Sequence, residues 1–126
     1  MDLNLVGPLA AIAAFLGIAL GHITVRWLEF RIAHLWVPVL FFLALGIGAE
    51  VLSVSMRNVY AKVGCGVSGV LFVWDAVELI RQQRRVRRGH APANPENPRH
   101  RRFLEEPGSR ATTRDYLRDE TRLELK

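Results

Sequence analysis

Glu50, Asp75, Glu78 and His22 stand within or at the ends of long apolar runs. If those runs cross a bilayer, each ionisable group is costly there and marks a candidate site for an ion, a proton or a polar contact. Glu50 is an intramembrane acid about five residues, or roughly 7 Å of helix, from the end of its run. It reads either as an ion or proton site facing other helices or as a carboxylate that is protonated or reaches the interface. Asp75 and Glu78 are three apart and share part of one helix face. Arg81 and Arg85 follow Glu78 by three and seven residues, so the pair reads as carboxylates neutralised by adjacent arginines. Acid–base catalysis by the pair would require a substrate pocket.

His22, Arg26 and Glu29 share a face if their helix continues. Both helix ends are expected on the same side of the membrane, so His22, Arg26, Glu29, Asp75, Glu78 and Arg81 are expected to form one polar cluster. Its expected role is to join helices, with a proton or ligand site as the alternative. Other chemistry is poorly supported. Ser53, Ser55 and Ser68 have no evident base. His34, His90 and His100 show no ligand spacing with His22, and no cysteine pair joins them, so no metal and no cofactor are expected. Cys65 is the one cysteine and forms no internal disulfide. The expectation is a protein that is not an enzyme.

The elements that position these groups follow from patterning. The chain has 126 residues, half of them hydrophobic, and a formal net charge of +5. Only four Lys or Arg precede Arg81, and thirteen lie from Arg81 onward. An oily part is thus followed by a charged part. About 20 mostly apolar residues cross the hydrocarbon core, and three runs qualify, at about 6–25, 34–55 and 59–80. The first lacks a basic leading region and is long, so it is expected to be a permanent span rather than a cleaved signal. Gly7-Pro8 and Pro38 fall near span starts, where a missing amide hydrogen costs least. The third run carries Asp75 and Glu78. A re-entrant or interfacial segment is its alternative, and that would put both termini on one side. The expected fold is all-α: a bundle of three transmembrane helices over 1–88, then a Pro-rich linker and charged arm over 89–126.

Lys and Arg near span ends orient such a bundle. The loops at 26–33 and 56–62 tie, with Arg26 and Arg31 against Arg57 and Lys62. The run Arg81, Arg84, Arg85, Arg87 and Arg88 decides for a cytoplasmic carboxyl terminus and an outside amino terminus, as a multi-pass protein of the inner (plasma) membrane. Trp27, Trp36 and Trp74 fall at the expected cytoplasmic ends, where an amphipathic ring is favoured. The same five arginines are expected to contact anionic lipid. Nucleic acid is not an expected partner, because no stacking aromatic lies between Arg81 and Arg102. Gly17, Gly21, Gly64, Gly66 and Gly69 are expected to let helices approach closely. Gly89 is expected to end the helical continuation after Arg81, and Pro92, Pro95 and Pro98 to keep 90–98 extended. Residues 112–126 favour a helix capped by Thr112 or Thr113, with Tyr116 and Leu123 on one face. Alone it would be marginal.

Residues 74–95, WDAVELIRQQRRVRRGHAPANP, resemble the closing signature of the domain of unknown function 4491 family. The resemblance rests on Trp74, Glu78, Gln82 or Gln83, Arg85-Val86, Gly89, Pro92 and Asn94-Pro95. Upstream, His22, Arg26 and Glu29 resemble the family's first loop, and Glu50 an acid near the end of its second span. The likeness covers about residues 5–98. His90 departs from a position that is often aromatic, and the arm after Arg99 lies beyond the pattern. The resemblance implies a three-span membrane protein and no particular activity, and it draws attention to His22, Glu29, Glu50 and Glu78. The functional expectation is a protein that binds, as an accessory or assembly subunit of a larger membrane complex, with a membrane protein or a second copy as partner. Phe103, Leu104, Tyr116 and Leu117 would be docking anchors. The alternative is a small homo-oligomeric transporter or proton-linked channel using intramembrane carboxylates.

Overall fold

A computed structural model describes residues 3–124, with side chains over 3–120. Three long helices, α1 (Val6–Arg31), α2 (Trp36–Ser55) and α3 (Val59–Arg87), are followed by two short ones, α4 (Pro98–Glu105) and α5 (Tyr116–Glu124). α1, α2 and α3 are each long and apolar enough to cross a membrane, so the protein is a multi-pass membrane protein built only of helices among the described residues.

Local chemistry sets the helix ends. Pro8 and Pro38 occupy first turns, where a proline removes no hydrogen bond. The Asn58 side chain caps α3, accepting from the amides of Tyr60 (2.9 Å) and Ala61 (3.1 Å). α3 is one unbroken helix of 29 residues, long and apolar enough to cross. It ends at Gly89 (φ +78°). The amide of Gly89 donates to Val86 O (3.1 Å) and that of His90 to Arg85 O (2.9 Å), a Schellman ending that needs a left-handed residue.

α3 is the central helix, packing against both α1 and α2. The contacts lie where side chains are smallest. Gly17 faces Leu71 and Gly21 faces Asp75 across α1–α3, while Gly46 meets Gly69 and Val73 across α2–α3. Gly69 lies against Glu50, and Gly66 against Ser53. Gly64 is a correction: it faces open space and admits no other helix. Gly46, which the pattern of small residues did not single out, takes that part. The apolar core collects at one end of the bundle, where Val25, Leu35, Val39, Phe42, Ala76 and Leu79 are buried together.

These contacts also fix depth. Gly17 opposite Leu71 and Gly21 opposite Asp75 make α1 and α3 parallel, with an offset of 54 in number (71 − 17 and 75 − 21). Trp27 is thereby level with Arg81. α2 runs antiparallel, with Ser53 beside Gly66 and Gly46 beside Gly69 and Val73, and this brings Trp36 to the same level. From Val59 to Arg81 α3 rises about 33 Å at 1.5 Å per residue, close to the ~30 Å hydrocarbon thickness. Trp74 does not share the belt. It lies seven residues below Arg81, about 10 Å deeper, and Arg81 reaches back over its ring (5.5 Å to the centroid).

The segment after Gly89 departs most from expectation. Residues 90–98 are not an extended linker but turns folded back on the bundle. Val86, Ala91 and Ala93 form a second small core with Phe103 and Leu104, so those two anchors serve the chain itself. Near α5, Asp115 rather than Thr112 or Thr113 supplies the cap, accepting from the Arg118 amide (3.4 Å). Tyr116 and Leu117 are exposed. Residues 125–126 and the side chain of Leu123 lie outside the described residues.

Candidate functional site

The six residues expected to form one polar cluster separate into two sites. The first is a groove of about 330 Å³ between α1 and α3, lined by Ile18, His22, Val70, Leu71, Trp74, Asp75 and Glu78. Gly21 makes it possible, because any side chain there would strike the Asp75 carboxylate. Asp75 is 8% exposed and Glu78 5%. Glu78 is paired, with Arg85 at 3.1 Å and Arg81 at 3.8 Å, as the spacing of those arginines led one to expect. Asp75 makes no hydrogen bond or ion pair with any described residue, and His22 is exposed at the rim beside it. By the depth register, Asp75 lies six residues below Arg81, roughly 9 Å inside the interface level. Chemically the groove is an apolar slot with a carboxylate at its floor, suited to a hydrogen-bond donor or a cation on an otherwise apolar partner.

The second site is built around Glu29, which is 1% exposed. Its partners come from about seventy residues away. Arg99 donates from Nη1 to Glu29 Oε1 (2.9 Å) and from Nη2 to the carbonyls of Glu29 (2.6 Å) and Ile32 (3.2 Å). His100, fully buried, lies with Nε2 at 2.9 Å from the same Oε1. The Asn94 amide donates to His100 Nδ1 (2.9 Å); Nε2 therefore carries the ring hydrogen and is the donor to Glu29. Asn94 Nδ2 donates to Phe30 O (3.1 Å), and Asn97 Nδ2 to the carbonyls of Phe30 and Ile32 (both 3.2 Å). A helix leaves its last carbonyls without internal partners. Here the chain returns from beyond α3 to satisfy those of α1. Arg26, the remaining expected member, is exposed beside a small cavity with Glu29, Gln82 and Pro92 and makes no hydrogen bond or ion pair with a described residue.

Asn94, Asn97, Arg99 and His100 were missed as site residues. A signal for one of them was present: Asn97-Pro98 is a capping residue followed by proline at the first helical position. The Asn97 side chain indeed accepts from the Arg99 amide (3.0 Å) while its amide group holds α1. Glu50, the intramembrane acid, lies against Gly69 between α2 and α3, with Oε1 buried and without a hydrogen-bond partner.

The domain of unknown function DUF4491 matches residues 4–97, three quarters of the chain. The protein belongs to the DUF4491 family. No curated protein and no solved structure matches it. The DUF4491 match takes in α1, α2, α3, the groove, Glu29, Asn94 and Asn97, and stops just before Arg99 and His100. The resemblance drawn from the residues thus identifies the family with nearly the same limits.

Proposed function

We propose that this DUF4491 protein acts by binding, as an accessory or assembly subunit of a larger membrane complex, and that the α1–α3 groove seats a transmembrane helix of the partner. The observation that carries the reading is Asp75, a largely buried carboxylate whose side chain makes no hydrogen bond with a described residue, at the floor of an apolar slot. The slot opens on the flank of the bundle between Ile18 and Val70, which are 50% and 64% exposed. Leaving such an acceptor unmet in hydrocarbon is costly. The partner helix supplies a basic or hydroxyl-bearing side chain opposite it, and small apolar neighbours that fit beside Trp74.

A photoreactive residue at Val70 tests this in native membranes, with one at Val54 on α2 as the comparison. The expected result is a discrete adduct with one other membrane protein from position 70 alone, lost in Asp75→Leu at equal protein level. Adducts with lipid only, or with a second copy of this chain, would overturn it. The proposed location is the plasma membrane, with the amino terminus outside and the carboxyl terminus cytoplasmic. The arginines after Arg81 support that orientation, and a reporter fused after Lys126 tests it: activity of a periplasm-dependent reporter there would reverse it.

A second reading, a homo-oligomeric proton-linked channel, is favoured by the unpartnered Glu50 Oε1. In vesicles Glu50→Gln should abolish proton flux, and unchanged flux removes Glu50 from any such mechanism.

A further inference from the structure

Of the five arginines that leave the membrane with α3, three are engaged. Arg81 and Arg85 face Glu78, and Arg87 holds Glu106 through two hydrogen bonds (Nε to Oε2, 3.1 Å; Nη2 to Oε1, 2.6 Å). The side chains of Arg84 and Arg88 make no hydrogen bond or ion pair with any described residue. The chain then brings a further arginine to them. Ser109 Oγ and the Arg110 amide donate to Arg87 O (3.3 and 3.2 Å), and the Ala93 amide donates to Thr112 O (2.8 Å). Gly89 has no Cβ to obstruct the Arg110 carbonyl, which lies against it. The result is a cavity of about 630 Å³ lined by Arg84, Arg87, Arg88, His90 and Arg110, closed on one side by residues 106–109.

Its electrostatics are unbalanced. Four arginines line it against the single carboxylate of Glu106, leaving three more arginines than carboxylates. The Arg110 side chain, like those of Arg84 and Arg88, makes no hydrogen bond or ion pair with a described residue. Three arginines without a counter-charge around one hollow make its potential positive and favour an anion there. The negative end of the α3 dipole would oppose an anion, but the carbonyls of its last turn are all taken, by Arg88, His90, Gly89 and Arg110 in order. Depth fixes the setting. Arg84 and Arg88 are three and seven residues beyond Arg81, about 5–10 Å outside the hydrocarbon, where the phosphates of a leaflet lie. Guanidinium groups pair with phosphate oxygens two at a time.

We propose that this cavity is a binding site for a multiply charged phosphate group, presented either by a lipid headgroup or by a free phosphate compound. The assignment differs from general attraction of a basic tail to an anionic surface, because it requires Arg110 from the returning segment. It is also independent of the α1–α3 groove and of any protein partner.

Native mass spectrometry of the full-length protein in mild detergent tests it. The probes are cardiolipin, phosphatidylglycerol at matched phosphate concentration, and inorganic pyrophosphate. A cardiolipin adduct retained at least fivefold better than phosphatidylglycerol, without pyrophosphate binding, identifies the lipid source. Pyrophosphate binding in the absence of lipid identifies the free one. Either adduct should fall at least fivefold in Arg110→Gln and in Arg84→Gln, and should persist in Arg102→Gln, which removes an exposed arginine outside the cavity. Arg84 lies on an exposed helix face, so that variant stays informative should Arg110→Gln loosen the returning segment. Equal loss in all three variants, or no preference among the probes, would overturn the proposal.

Discussion

Replacing Glu29 with alanine tests the idea that one buried carboxylate holds residues 92–105 onto the bundle. The substitution removes the acceptor of both Arg99 Nη1 and His100 Nε2, and it leaves a guanidinium only 12% exposed without its counter-charge. Breaking one side of a buried pair costs about 3–5 kcal/mol. The low end applies, because Arg99 keeps the carbonyls of residue 29 and Ile32. About 3 kcal/mol corresponds to a roughly 100-fold rise in the population of the opened segment. Amide hydrogen exchange on the intact protein in nanodiscs reads that directly. The Asn94 amide, held by His100 Nδ1, and the Arg99 amide, held by Asn97, should exchange about two orders of magnitude faster. Amides of α2, which shares no hydrogen bond or ion pair with the segment among the described residues, should be unchanged. A double-mutant cycle with Arg99→Ala should return a coupling of about 1.5 kcal/mol or more. Unchanged exchange at Asn94, or additive effects in the cycle, would refute the account.

Asn97→Ala removes the α4 cap together with two bonds to α1 carbonyls, a loss of about 1–3 kcal/mol. It should expose Arg101 and Arg102 to trypsin in the folded protein while the thermal midpoint of the three spans changes little. Gly89→Ala meets two obstacles, a left-handed backbone and the Arg110 carbonyl. It should cost at least ~1 kcal/mol, seen as faster trypsin cleavage after Arg110. Gly69→Leu should separate α2 from α3 and lower the unfolding midpoint in detergent by several degrees, whereas Gly64→Leu should leave it in place; equal effects at the two glycines would contradict the packing.

The spans were readable because crossing a bilayer is a demand on each stretch of sequence by itself. Apolar runs of the right length, Pro8 and Pro38 in first turns, and Gly89 after a run of arginines mark their ends without reference to the rest of the chain. The Glu78–Arg85 pairing was readable for the same reason, since both groups lie on one helix. The partners of Glu29 were not. Arg99 and His100 lie seventy residues away, and nothing local distinguishes a segment of Asn-Pro pairs that caps a distant helix from one that merely connects. Glycine spacing was similarly mute about direction: Gly64 and Gly69 look alike in the sequence, but only one faces α2.

The six residues expected in one polar cluster were therefore grouped incorrectly. By itself the sequence determined an all-helical, three-span family member with carboxylates inside its apolar runs, because hydrophobic length and helix-end chemistry are local properties. Tertiary structure alone decided that His22 and Asp75 share a groove while Glu29 leaves them for Arg99 and His100. It decided too that Arg110 joins Arg84 and Arg88. Each of those outcomes depends on helix register and on where the returning chain docks, which are set by close contacts at Gly17, Gly21 and Gly46 and by the unmet carbonyls at the end of α1.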